Sequence, residues 1–177
     1  GKLNLVGTSS SPIVFTEVSK TPGSWSGIML VGKAPIIAAG GSTTANSEDG
    51  SNISYGGTDA ADNSGNLSYV RVEYAGKKVA DGLKETNGFT FYSVGSGTTI
   101  DYVQASYGLD DSFEWFGGTV NAKHLIAYKG LDDDFDTDNG FSGYVQFGIG
   151  IRGAAIADQS GSNGFECDND ANGSANT

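Results

Sequence analysis

Two short patterns of apolar and polar positions alternate along most of the chain. The first pairs an aromatic residue with aliphatic ones at alternate positions: "YVRV" from Tyr69, "YVQA" from Tyr102, "HLIA" from His124 and "YVQF" from Tyr144. The second centres on phenylalanine: "FTF" from Phe89, "FEW" from Phe113, "FDT" from Phe135 and "FEC" from Phe165. From each first-pattern aromatic to the next of these phenylalanines the count is 20, 11, 11 and 21 residues, a base spacing of 11 with two insertions. "PIVF" at Pro12 and "GIML" at Gly27 form an earlier pair. No stretch sustains a 3.6-residue apolar period, so almost no helix is expected. Short strands that can bury an apolar face only against copies of themselves predict a parallel β-solenoid of about five coils, each of roughly 22 residues. Polar loops are expected at 38–66, 75–87 and 152–164, and the whole of 1–177 is expected to be one domain of a longer chain.

Equivalent residues of successive coils should stack at about 4.8 Å, and alternation along each strand assigns their faces. In the first strand Val70, Val103, Leu125 and Val145 should point inward, joined by Val72, Ala105, Ala127 and Phe147. The outward row is then Tyr69, Tyr102, His124 and Tyr144. In the second strand Phe89, Phe113, Phe135 and Phe165 should stack inside, backed by Phe91, Trp115, Thr137 and Cys167. Its outward row is Thr90, Glu114, Asp136 and Glu166. The lone cysteine, Cys167, is thus expected to be a buried thiol.

Composition sharpens this picture. Twenty-eight glycines against three prolines mark many tight turns. A net charge of −11, with Arg71 and Arg152 the only arginines, argues against nucleic acid as a partner. No apolar run approaches the length of a transmembrane segment.

The acids gather in "GLDDSFEW" and "GLDDDFDT". Stacking makes pairs of Asp110 with Asp132, Asp111 with Asp133 and Glu114 with Asp136. Two carboxylates at 4.8 Å repel by about 0.9 kcal/mol in water and about 3.5 kcal/mol at an effective dielectric of 20. Calcium would remove that repulsion. The candidate metal ligands are Asp110, Asp111, Asp132, Asp133 and Asp134 as one group, and Glu166, Asp168, Asn169 and Asp170 as a second, with Asp136 and Asp138 as further candidates. Asp134, Asp136 and Asp138 have the spacing of a helix-loop-helix calcium loop. Its twelfth position would be Val145 and no helices flank it, so that motif is set aside. The alternative is a solvated acidic corner that keeps the protein soluble.

"GTSSSPIVFT", "GSWSGIMLVGKAPI", "YGGTDAADNSGNLSYVRVEYAG", "VGSGTTIDYVQASYGLDDSFEWFGGTVNAKHLIAY" and "DDDFDTDNGFSGYVQF" together resemble a family of right-handed parallel β-helix proteins. Its members are secreted or outer-membrane proteins of Gram-negative bacteria, often described only as lipoproteins or hypothetical proteins. The resemblance implies a right-handed β-helix and export, to the cell surface or outside.

Three functions fit these residues. The first is a non-catalytic adhesive or structural module stabilised by calcium, with Tyr69, Tyr102, His124 and Tyr144 as a ligand-binding strip for a glycan or surface ligand, unless an inserted loop such as 38–66 covers it. The second is a carbohydrate-active enzyme, a polysaccharide lyase or hydrolase, using Asp110, Asp111, Asp132, Asp133 and Asp136 with Arg71. Against it, the acids repeat in equivalent positions, whereas an active site sets unlike groups together. The third is a filament subunit associating end to end through uncapped coils. His124 takes a place held by tyrosine in other coils, which makes it a row member and not a general base.

Overall fold

The computed structural model describes residues 1–77, 84–158 and 161–169 as five stacked coils. The first coil contains β1 (Leu3–Val6), β2 (Ile13–Phe15) and β3 (Ile28–Val31). An excursion follows, with a short 3-10 turn at Ala39–Gly41 and the antiparallel pair β4 (Ala45–Asn46) and β5 (Ser54–Tyr55). The later coils each hold one long and one short strand: β6 (Gly65–Glu73) with β7 (Phe89–Tyr92), β8 (Thr99–Ser106) with β9 (Phe113–Phe116), β10 (Asn121–Tyr128) with β11 (Phe135–Asp138), and β12 (Tyr144–Ile151) with β13 (Phe165–Cys167). All pairings between coils are parallel, in one sheet ordered β1-β6-β8-β10-β12 with β2 also on β6, and another ordered β13-β11-β9-β7-β3. This is a right-handed parallel β-helix, the hand favoured by the twist of L-residue strands. Among the described residues there is no α-helix, and no helix is long and apolar enough to cross a membrane.

The interior follows the expected register over most of its length. Val70, Val103 and Leu125 form one rung column, and Ile28 lies beneath Phe89 in another. Phe89, Phe113, Phe135 and Phe165 stack face to face with centroids 5.3, 5.6 and 4.8 Å apart. Phe91 and Trp115 stack beside them at 5.5 Å. Each such buried ring stabilises the fold by about 1.5–3 kcal/mol through removal of apolar surface from water.

The chain turns each coil at residues in the left-handed backbone region. The first corner falls within the long strand, at Tyr69, Tyr102, His124 and Phe147 (φ 52°, 54°, 50° and 59°). Tyr74, Tyr107 and Lys129 make a second, and Ser93, Gly117 and Asn139 a third. At the first corner the alternation breaks: Asp101 and Tyr102 both face out between buried Ile100 and Val103. The ladder skips Tyr102 and resumes at Val103, so the sheet bends there.

Three expectations are corrected. In the last coil Tyr144 pairs with Asn121 and Val145 with Ala122, while Gly148 takes the place of Leu125 and Gly150 that of Ala127. The motif "YVQF" imitates "YVQA", but the corner falls three residues later, on Phe147, which is exposed instead of internal. The coil below dictates this slip. A Cβ on Gly148 would stand 3.1 Å from the Phe135 ring, and one on Gly150 would stand 2.4 Å from Asp134 Oδ2. Valine and phenylalanine at those two places would collide with residues already filling the space. Second, Cys167 is exposed, because β13 is the last described rung of its sheet and carries no further rung over it. Third, the excursion ends at residue 64, since Gly65 and Asn66 already pair with Leu3 and Asn4. The loop at 75–87 is not wholly a surface feature either: Ala75, Thr86 and Asn87 at its two ends are buried.

Candidate functional site

The turns that enter β9 and β11 carry Asp110–Asp111 and Asp132–Asp134. Their backbones belong to the coil ladder: Gly88 N donates to the Asp111 carbonyl at 2.8 Å and Ser112 N to the Asp133 carbonyl at 2.9 Å. The side chains extend it. Asp111 Oδ1 accepts from Asp133 N at 2.8 Å, and Asp133 Oδ1 in turn accepts from Asn163 N, so each carboxylate caps the turn of the following coil. Repetition at a 22-residue spacing therefore has a structural cause.

The outer face of the short strands carries Thr90, Glu114, Asp136 and Glu166 in register. A solvated acidic corner is not what forms. Asp110, Asp111, Asp132, Asp133, Asp134, Glu114 and Asp136 are all buried, none more than 9% exposed. The 38–64 excursion covers the Glu114 end. Its Tyr55 packs on Tyr92 with centroids 4.6 Å apart and on Phe116 at 6.2 Å, forming a second small core with Ile36 and Ala38. This docking brings Glu48 close to Glu114, near enough for one amide to reach both. Asn87 bridges them, its Nδ2 donating to Glu48 Oε1 at 3.2 Å and to Glu114 Oε2.

Burial sets the electrostatics. Arg152, drawn in from the last coil, donates to Asp134 Oδ1 at 3.3 Å and also meets the carbonyls of Asn163 and Leu131. Desolvation pushes the Glu48 carboxyl up to about 7. It does the same for Asp136, where the contact with Glu114 works the other way. Glu114 is raised well above the usual carboxylate range by burial and then by Glu48, and Asp111 by burial and then by Asp110. In each case burial is the first cause, and the charge of neighbouring carboxylates adds to it.

The oxygens converge in two places. Asp110, Asp111 and Asp132 can bring one oxygen each within 4.8 Å of one another, and so can Asp111, Glu114 and Asp136. Asp111 belongs to both. The first set lies inside the group expected from the repeat. The second cuts across it and includes Glu114, which register alone stacks on Asp136. Asp134 turns instead to Arg152. Asp138 is half-buried, Glu166 and Asp168 are exposed on the last rung, and Asp170 lies outside the described residues. Glu48 and Asn87 carry no mark in the sequence, since "NSEDG" and "ETNG" both read as ordinary turns. The donor set, hard carboxylate oxygens without sulfur or imidazole, suits calcium. Asp136 adds a specific demand, because its buried Oδ1 has no hydrogen-bond partner among the described residues.

The aromatic row is built differently from expectation. Its members are Tyr69, Tyr102, His124 and Phe147, with Tyr144 outside it and 70% exposed. The rings lie nearly parallel, 2°, 5° and 14° between neighbours, with centroids 4.6, 4.4 and 4.9 Å apart. Their faces are therefore spent on one another, and most of what the row offers to solvent is ring edges. The 38–64 excursion packs against Tyr92 and Phe116 and not against this row. A groove of about 220 Å³ runs beside it, lined by Ser9, Pro12, Tyr69, Arg71, Tyr102 and His124 among others. Stacking offsets the strain of holding bulky residues at positive φ, about 1–2 kcal/mol each.

His124 also meets Asp101, Nδ1 to Oδ1 2.8 Å, in a half-exposed pair that solvent screens. His124→Ala is expected to lose about 1–2 kcal/mol in urea unfolding, while His124→Tyr, which restores the ring of the neighbouring coils, should stay within about 0.5 kcal/mol of the parent. Equal losses in both variants would show that the stack contributes nothing.

Comparison with curated proteins and with solved structures returned no match. The sequence model of a pectate-lyase-like β-helix domain matches residues 1–177, in agreement with the coil architecture. The chain belongs to that β-helix domain family.

Proposed function

We propose that this β-helix is a non-catalytic module of an exported protein, adhesive or structural at the cell surface, and that calcium stabilises it. The observation that carries the reading is the acidic wall: seven carboxyl groups buried together, Asp111, Glu114 and Asp136 close enough to share one ion. Burial disfavours the ionised form of so many neighbouring carboxyl groups, and calcium offsets that cost at neutral pH without consuming protons. Asp111, Glu114 and Asp136 would hold the ion, with Asp110 and Asp132 beside them. Their burial also weighs against polysaccharide cleavage, because a glycosidic bond must reach the carboxyl groups that act on it. The family's name keeps the carbohydrate-active alternative within the test.

Thermal unfolding at neutral pH should separate these readings. With calcium at about a hundred times its dissociation constant the fold should gain about 2.7 kcal/mol, which raises Tm by roughly 5–10 °C over the EDTA-treated protein. Incubation with pectate should release no unsaturated product. Unchanged melting removes calcium from the account, and release of product that Asp111→Asn abolishes replaces the structural reading with the enzymatic one.

A further inference from the structure

The 38–64 excursion is anchored at one end by an apolar contact and at the other by an acid facing acids. Tyr55 lies under the excursion, 4% exposed, and its hydroxyl receives a hydrogen bond from Asn139 Nδ2 at 2.6 Å. The tip is ordered by its own short side chains. Ser51 N and Oγ both donate to Asp49 Oδ1, at 3.1 and 2.7 Å, and Ile53 N donates to Ser47 Oγ at 3.0 Å. This turn points Glu48 at the wall while its own N–H donates to Tyr92 Oη at 3.3 Å. A tip ordered from within has no need of a carboxylate pressed against Glu114. A glutamine there would meet Glu114 as a hydrogen-bond donor, without repulsion.

We infer that Glu48 is a ligand to the cation held by Asp111, Glu114 and Asp136, so that ion binding clamps the 38–64 excursion onto the wall. The inference rests on the calcium reading above and adds a residue and a consequence to it. Two independent observations support it. Asp136, 9% exposed, leaves its buried Oδ1 without a hydrogen-bond partner among the described residues, in the same cluster whose Glu114 is bridged to Glu48 by Asn87. The neutral donor at hand is limited as well, for Asn87 already spends its amide on Glu48, Glu114 and Thr90. One amide cannot neutralise facing carboxylates from two segments, whereas calcium takes six to eight oxygens and accepts them from both sides of such a seam. The wall supplies three carboxylates from two adjacent coils, and the excursion brings the fourth from 63 positions before Asp111.

The test is amide hydrogen exchange of the segment 44–56, followed by mass spectrometry in calcium and in EDTA at neutral pH, alongside thermal melting. In the parent protein calcium should slow exchange of this segment at least tenfold. In Glu48→Gln the exchange should no longer respond to calcium, and in EDTA it should be as slow as in the parent or slower, because the repelling charge has gone. Glu48→Asp, which shortens the reach but keeps the charge, should regain part of the calcium response. If calcium raises Tm of the parent yet leaves exchange at 44–56 unchanged, or if Glu48→Gln responds as the parent does, the clamp is wrong and the calcium reading stands. If calcium alters neither melting nor exchange, both are wrong.

Discussion

Phe113→Ala is expected to cost about 3–5 kcal/mol, the largest effect of any single ring in the molecule. The side chain is fully buried, stacked between Phe89 and Phe135 and 6.0 Å from Trp115. No neighbour can collapse into the gap without leaving its own column, because backbone pairing holds Phe89 to Phe113 and Phe135 to Phe165. In a solenoid stability is close to a sum of coil terms and nearest-neighbour terms, so the loss falls on two interfaces at once. Against a total of roughly 5–15 kcal/mol that is enough to expose the last coils before the first. Phe165, 59% exposed at the last described rung, is the control, and its alanine variant should lose under about 1 kcal/mol. Urea unfolding followed by circular dichroism measures both. Similar losses at the two positions would mean that the stack is not the backbone of the core.

In EDTA the protein should become less stable as pH rises from about 4.5 to about 7, the reverse of what paired surface carboxylates produce. Burial holds Glu48 and Asp136 near 7, where in the unfolded chain they would return to about 4.5 and 3.8. Within that window the native state keeps protons that the unfolded chain has released. Stability then falls with rising pH by about 1.4 kcal/mol per unit for each fully shifted group. Below the window these groups contribute no slope. The carboxyls touch and titrate as a set, so the total should be about 2–4 kcal/mol and not a simple sum. Calcium competes with those protons, hence its own stabilisation should grow with pH and flatten the decline. Urea midpoints at pH 5 and 7.5, each with EDTA and with calcium, test the sign. A chelated protein that is firmer at pH 7.5 would mean that these acids are ionised and paired in some other way.

The 22-residue period was open to reading because a solenoid interior is made of copies: Phe113 and Phe135 sit in equivalent strings and the structure stacks them. Register failed where a local string and the coil beneath disagreed. "YVQF" resembles "YVQA" in letters, but Phe135 and Asp134 already fill the space that Val145 and Phe147 would need one rung above. The acids were visible as a repeat, and their burial was not, since at the Glu114 end it depends on where residues 38–64 come to rest and at Asp133 and Asp134 on Asn163 and Arg152 of the last coil. That seat is made by Tyr92 and Phe116, which hold the same place in "FTFY" and "FEWF", together with Tyr55 of the excursion, which no spacing announces. The aromatic row was legible as a row. Its presentation by edges follows from left-handed corners at Tyr69, Tyr102, His124 and Phe147, a backbone state their residue types rarely take.

The corners set how such a chain can diversify. Additional length enters between rungs, as it does between β6 and β7 and between β3 and β6, while the paired rungs on either side keep their partners. New segments can thus be grafted at a bend without retuning the stacked interior. Differences among proteins of this architecture should concentrate in what hangs from their bends, with the inner columns drifting slowly behind them.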